Sequence, residues 1–153
     1  MFSSKHYVPI LKWKRAEQCA LEILADKYKD RISPLIELVM PKPKSLFKDK
    51  EKRIRKTKEE VFQELITEFR TKRISEIPDE IIKCCGNRFA FIDFSLLYTV
   101  TLKTESIKKI LEKAAERGAR LVPILNLSDS EEVKKEIKQT IDKYNRGICL
   151  RIV

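Results

Sequence analysis

Five short apolar runs punctuate the chain: Tyr7–Trp13, Pro34–Val39, Phe89–Phe94, Leu121–Leu127 and Ile148–Val153. Each has the length of a buried strand and is too short for a helix. Between them, apolar residues recur with the helical period. Arg15–Lys29 sets Cys19, Ala20, Ile23 and Leu24 on one face, and Lys58–Lys72 sets Phe62, Leu65, Ile66 and Phe69 on another. Glu105–Arg117 groups Ile107, Ile110, Leu111, Ala114 and Ala115, and Ser130–Tyr144 groups Val133, Ile137, Ile141 and Tyr144. Charged residues fill the opposite faces, the pattern of helices that cover a sheet.

The helix ends carry signals of their own. Thr57 with Glu60, and Ser128 with Glu131, have capping-box spacing. Gly118 and Gly147 stand where a left-handed residue would end a helix. A further short helix is expected to start at Asp79 and Glu80, behind Pro78. Strictly alternating strands and helices imply parallel strands joined by right-handed crossovers. The expected class is therefore α/β: five parallel strands in order 1-2-3-4-5 with helices outside, an incomplete half of a (β/α)8 TIM-barrel-like fold. The alternative is an open doubly wound sheet with reordered strands and helices on both faces.

The strands resemble one another. Val8-Pro9-Ile10-Leu11-Lys12 matches Val122-Pro123-Ile124-Leu125-Asn126, and Ser33-Pro34-Leu35-Ile36-Glu37 is a third copy. In every unit an apolar run meets one polar residue near its C-terminal end: Lys12, Glu37, Asp93, Asn126 and Arg151. Side chains alternate along a strand, so these residues set its phase. Val8, Ile10, Leu35, Phe89, Phe91, Val122 and Ile124 should share their face, and Leu11, Ile36, Leu38, Ile92 and Leu125 the other. Ligands of barrels and open sheets bind at the carboxyl ends of strands. There Lys12 and Arg151 would neutralise an anion, Glu37 and Asp93 would serve as acid and base or hold a divalent cation, and Asn126 would orient a polar group. The competing reading is a network of ion pairs that holds the strand ends together.

Composition narrows the picture. A chain of 153 residues with 42% apolar residues builds one ordinary domain, taken as 1–153. Three glycines are too few for an all-β protein rich in tight turns. The net charge of +10 is concentrated: Lys42 to Lys58 holds nine basic and two acidic residues, a net of +7. Residues 41–58 therefore read as a basic loop, with Lys42, Lys44, Lys48, Lys50, Lys52, Arg53, Arg55, Lys56 and Lys58 as candidate contacts for an anion or nucleic acid. A solvated loop leading into a helix is the favoured reading, because only Phe47 interleaves and no nucleic-acid motif follows.

Cys19, Cys84, Cys85 and Cys149 form no metal-ligand spacing, and His6 is the only histidine, so no metal is expected. Cys84 reads as a small core residue and Trp13 as a packing aromatic. No glycine-rich phosphate loop is present, and no cofactor is expected. Free thiols, no apolar leader and no run of ~18 apolar residues point to the cytoplasm, with no membrane partner.

Tyr7-Val8-Pro9-Ile10-Leu11-Lys12-Trp13-Lys14, followed by Arg15-Ala16-Glu17, resembles the start of the phage-type beta protein family. Arg31-Ile32-Ser33-Pro34-Leu35-Ile36-Glu37, Phe91-Ile92-Asp93, Leu121-Val122-Pro123-Ile124 and Leu150-Arg151-Ile152 continue the match in order. The resemblance implies a phage or prophage protein and names no reaction. Its members are longer, so the chain is expected to be the N-terminal part of a longer barrel. An arc of five strands leaves two bare edges, so the partner is expected to be a second copy or the missing C-terminal half.

Overall fold

The computed structural model describes residues 6–41 and 57–152. Strands β1 (Ile10–Lys12), β2 (Leu35–Glu37), β3 (Phe89–Asp93), β4 (Arg120–Asn126) and β5 (Cys149–Arg151) form one parallel sheet in that order. Helices α1 (Arg15–Ile23) and α2 (Asp26–Lys29) join β1 to β2. Helix α3 (Lys58–Glu68), a π-helical turn (Phe69–Arg73) and α4 (Ile74–Cys85) precede β3. Helix α5 (Val100–Glu116) joins β3 to β4, and α6 (Glu131–Tyr144) joins β4 to β5.

Strands in sequential order, joined by crossovers of one hand, put every helix on the same side of the sheet. The packing follows: α1 lies against α4, α4 against α5, and α5 against α6. This is the progression of a barrel wall, without the strand reordering of a doubly wound sheet. The wall does not close, and β1 and β5 are its edges. The register shifts across β4, whose first half pairs with β3 (Phe89 opposite Arg120) and whose second half pairs with β5 (Asn126 opposite Arg151).

The core fills the space between sheet and helices. Ile36, Leu38, Ala90, Ile92 and Leu121 meet Ile107, Ile110, Leu111 and Ile137 there, all buried. The opposite sheet face is only partly covered. Leu35 and Ile124 are buried on it, while Ile10 is 58% and Phe89 49% exposed.

Several local expectations shift. The capping box of Thr57 and Glu60 forms, with both reciprocal bonds. Helix α6, however, is capped by Ser130, which accepts from the Val133 amide, and not by Ser128. Gly118 takes the left-handed conformation after α5, but Asn145, not Gly147, ends α6 that way. Helix α1 presents Gln18 and Leu21 to the interior, while Ile23 is 85% exposed. The buried face differs from the periodic apolar one because Gln18 finds a carboxylate partner inside. The helix expected at Asp79 is instead the middle of a continuous helical run from Lys58 to Cys85 with Pro78 inside it. Phe69 and Ile74 are five residues apart, too far to stay in phase on an α-helix. The Ile74 amide donates to the Phe69 carbonyl, and this π turn absorbs the extra residue and keeps both side chains on the core.

One-sided covering sets a testable contrast. Ile92→Ala should cost about 2–5 kcal/mol, the range for a buried large-to-small change. Ile10→Ala, on the open face, should cost less than about 1 kcal/mol. Urea denaturation of both variants measures the difference; equal losses would mean that the open face is packed as tightly as the helix-covered one.

Candidate functional site

The polar residues at the strand ends fall into two groups. Glu37 on β2, Asp93 on β3, Asn126 on β4 and Arg151 on β5 form one hydrogen-bonded cluster. Arg151 Nη1 donates to Glu37 Oε1 at 2.8 Å and to Asp93 Oδ2 at 2.7 Å. Asn126 Nδ2 donates to Asp93 Oδ1 at 3.2 Å, and the Ser95 amide donates to the same oxygen at 2.8 Å. Asp93 has no solvent exposure, Glu37 and Asn126 are buried, and the Arg151 side chain keeps 26%. The two carboxylates hold the guanidinium pKa above its ordinary value, the Glu37 hydrogen bond contributing most. Two carboxylates around one guanidinium, each with its best donors inside the cluster, leave no unpaired positive charge for an anion. The arrangement fits an ion-pair clamp across the strand ends.

Lys12 stands apart. It lies opposite Glu37 in the register but is exposed and has no ion-pair partner among the described residues. It borders a cavity of about 610 Å³ beyond the carboxyl ends of β1 and β2. Lys14, Arg15 and Arg73 supply the other cationic side chains of its lining. Leu38, Val39, Met40, Pro41, Phe69 and Ile77 supply the apolar part, with Trp13 between. Among the described residues no carboxylate lines it.

Behind the cavity lies a second network, centred on Glu80. Trp13 Nε1 and Gln18 Nε2 donate to Glu80 Oε2 at 2.9 and 3.1 Å. Arg73 donates from Nη1 to Oε1 at 2.6 Å and from Nη2 to Oε2 at 3.0 Å, a bidentate pair. Arg73 also bonds Glu76 at 2.8 Å. Burial pushes the Glu80 carboxyl up, but the donors Arg73, Trp13 and Gln18 outweigh it and hold the pKa below its usual 4.5. Arg73 is raised in turn, chiefly by its bond to Glu80. Sequence reasoning missed this network. Its members sit 67 residues apart in the case of Trp13 and Glu80, and local rules place Glu80 at a helix start behind Pro78. The one available signal was a charged residue on the buried side of the Ile77–Ile81 helical face.

A chain whose strands follow one another in a parallel wall, with a polar residue closing each strand, matches a known sequence family. The family model described as Beta protein covers residues 7–153. The chain belongs to the Beta protein family. No curated protein and no solved structure matches it. Among the described residues of this Beta protein family member, no helix is long and apolar enough to cross a membrane. Of the basic segment, Lys42, Lys44, Lys48, Lys50, Lys52, Arg53, Arg55 and Lys56 lie outside the described residues; Lys58 is exposed at the start of α3. Burial raises the Cys84 thiol and pushes Cys85 up to about 12, so neither is a ready thiolate.

Two measurements test these networks. Arg151→Met leaves Glu37 and Asp93 without their cation and should destabilise the fold by roughly 2–4 kcal/mol, at or below the buried-pair range because the guanidinium keeps some solvent; an unchanged melting profile would remove the clamp. Glu80 is depressed in the folded state, so its contribution is present above pH 4.5 and fades as pH falls through the folded value. The stability gap between wild type and Glu80→Gln should accordingly be widest near neutrality and narrow below pH 4.5. Emission of Trp13, the single tryptophan, should shift over the same acid range in wild type alone.

Proposed function

We propose that this Beta protein family member binds an anionic ligand in the cavity at the carboxyl ends of β1 and β2. The observation that carries the reading is the lining among the described residues: four cationic side chains, Lys12, Lys14, Arg15 and Arg73, and no carboxylate, around about 610 Å³ of space. Ligand pockets typically span ~300–1,000 Å³ and sit at strand carboxyl ends in α/β folds. Arg73 is offset by Glu80 and Glu76, so Lys12, Lys14 and Arg15 are the groups free to meet a ligand charge among the described residues. Of the five strand-end residues, Lys12 then contacts the ligand, while Glu37, Asp93, Asn126 and Arg151 keep the wall in register around it.

Binding is the activity proposed. A general acid or base needs an unengaged carboxylate or imidazole beside the reacting group. Glu37, Asp93 and Glu80 are engaged with Arg151 or Arg73. A titration with pyrophosphate, followed by Trp13 emission, tests the proposal. Saturable binding should weaken with added salt, as it does for ion contacts, and should fall by roughly tenfold in Lys12→Ala/Lys14→Ala, about one exposed-to-half-buried charge contact. Arg151→Met, judged at a temperature where it stays folded, should bind as wild type does. Loss of binding in that variant alone would return the anion to the Glu37–Asp93–Arg151 cluster, and no binding to wild type would end the proposal.

A further inference from the structure

A single local turn gathers three cations at the cavity rim. Past β1, the Trp13 amide donates to the Glu37 carbonyl at 2.9 Å as a last rung of the sheet. The Lys14 amide then donates to the Lys12 carbonyl at 2.6 Å. A carbonyl bonded to the amide two residues on is a γ-turn, and Trp13 is its central residue. Trp13 is 5% exposed, with its indole nitrogen on Glu80 Oε2. Lys12 and Lys14 flank it, both exposed, and the exposed Arg15 follows at the start of α1. Glu80 also takes the Gln18 side-chain amide at 3.1 Å, so α4 holds the stretch on both sides of Lys14 and Arg15. None of the three cations has a salt bridge among the described residues. Glu22 feels Arg15 only as a field and bonds Lys83 instead. Like charges fastened this close repel one another. A singly charged anion answers one of them and leaves two facing each other. An anion with three charges on adjoining groups answers all three, and about 610 Å³ gives it room.

We infer that the ligand is a compact multivalent anion, with three or more negative charges on adjoining groups, as in an oligophosphate or a tricarboxylate, taken up by Lys12, Lys14 and Arg15 together. This rests on the anion-binding reading above and narrows it to a charge class. Arg73 stays outside the count, since Glu76 and Glu80 already hold its guanidinium. The γ-turn matters because it keeps the Lys12 and Lys14 backbones together while Trp13 is buried against Glu80. The rim then reads the number of charges on the ligand.

Calorimetric titration of the whole chain at constant ionic strength, with two series of probes, tests this. One series is phosphate, pyrophosphate and tripolyphosphate; the other is acetate, succinate and citrate. The expected result is one site whose affinity rises roughly tenfold with each added group in at least one series, about one charge-assisted contact per step. The series that rises names the head group. Lys12→Ala/Lys14→Ala/Arg15→Ala should abolish the rise, and all three residues are exposed, so the variant should keep its fold. Lys108→Ala/Lys135→Ala/Lys138→Ala removes the same charge from exposed positions on α5 and α6, and should bind within about twofold of wild type because distant surface charges are screened. Affinity that stays level along both series, yet falls in the rim variant, overturns the multivalent class and leaves the anion site standing. Equal losses in the two triple variants make binding a matter of net charge and overturn both. Absence of binding by every probe also overturns both.

Discussion

A carboxylate without solvent contact organises the strand ends. Removing a charge from water costs several kcal/mol even after the surroundings relax, and the cost is met only by well-placed donors. Asp93 has no exposure, and its donors come from three places: the Ser95 amide in its own turn, Asn126 on β4 and Arg151 on β5. Arg151 then reaches on to Glu37 on β2. One buried group thus requires four of the five strands to end in a fixed register. A slip by one residue would turn Asp93 or Asn126 to the helix side, among Ile92 and Leu125, where no donor waits.

The one-sided helix layer explains why polar residues collect where they do. Its side of the sheet is dry and apolar, built on Ile36, Ala90, Ile92 and Leu121. Among the described residues the other face has no helix above it. Apolar residues there grade from buried Leu35 and Ile124 at the middle strands to exposed Ile10 at the β1 edge. Charged groups are tolerable at the ends of such strands, where paired acceptors and water meet. Charge then separates along the rim. The β2–β5 end holds two carboxylates against one guanidinium, and the β1 end holds Lys12, Lys14 and Arg15.

Fold class and strand phase were legible because they rest on period and length. The runs around Ile10, Ile36, Ile92, Ile124 and Leu150 are too short for helices, and their polar terminators share one parity, which the hydrogen bonds of Glu37, Asp93, Asn126 and Arg151 respect. Features decided by long-range partners were not legible. Gln18 is polar by composition yet buried, since Glu80 receives its amide from 62 residues away. Pro78 reads as a boundary from local rules, but packing of Ile74, Ile77 and Ile81 against the sheet keeps the helix going through it. The cavity was invisible for the same reason: it joins β1, β2, the π turn and α4, and no single window of sequence contains its walls.

The start of α1 completes the argument for the β1 end. Helix N-termini carry partial positive charge and unsatisfied amides, so hydroxyl or carboxylate side chains belong there. Helices α3, α5 and α6 follow that rule with Thr57, Thr99 and Ser130 accepting amide hydrogens. Helix α1 opens instead with Lys14 and Arg15, has no side-chain cap, and gains only Glu17 in its first turn. Two cations beside a positive helix end repel it by a few tenths of a kcal/mol each. Nothing in the packing of α1 requires them, since both are exposed and its interior contacts run through Gln18 and Leu21. A negative charge in the adjoining cavity turns that local repulsion into attraction from the side chains and the helix end together. On the proposed anion-binding reading, the arrangement is unfavourable for an empty fold and favourable for one that holds an anion beside Lys12.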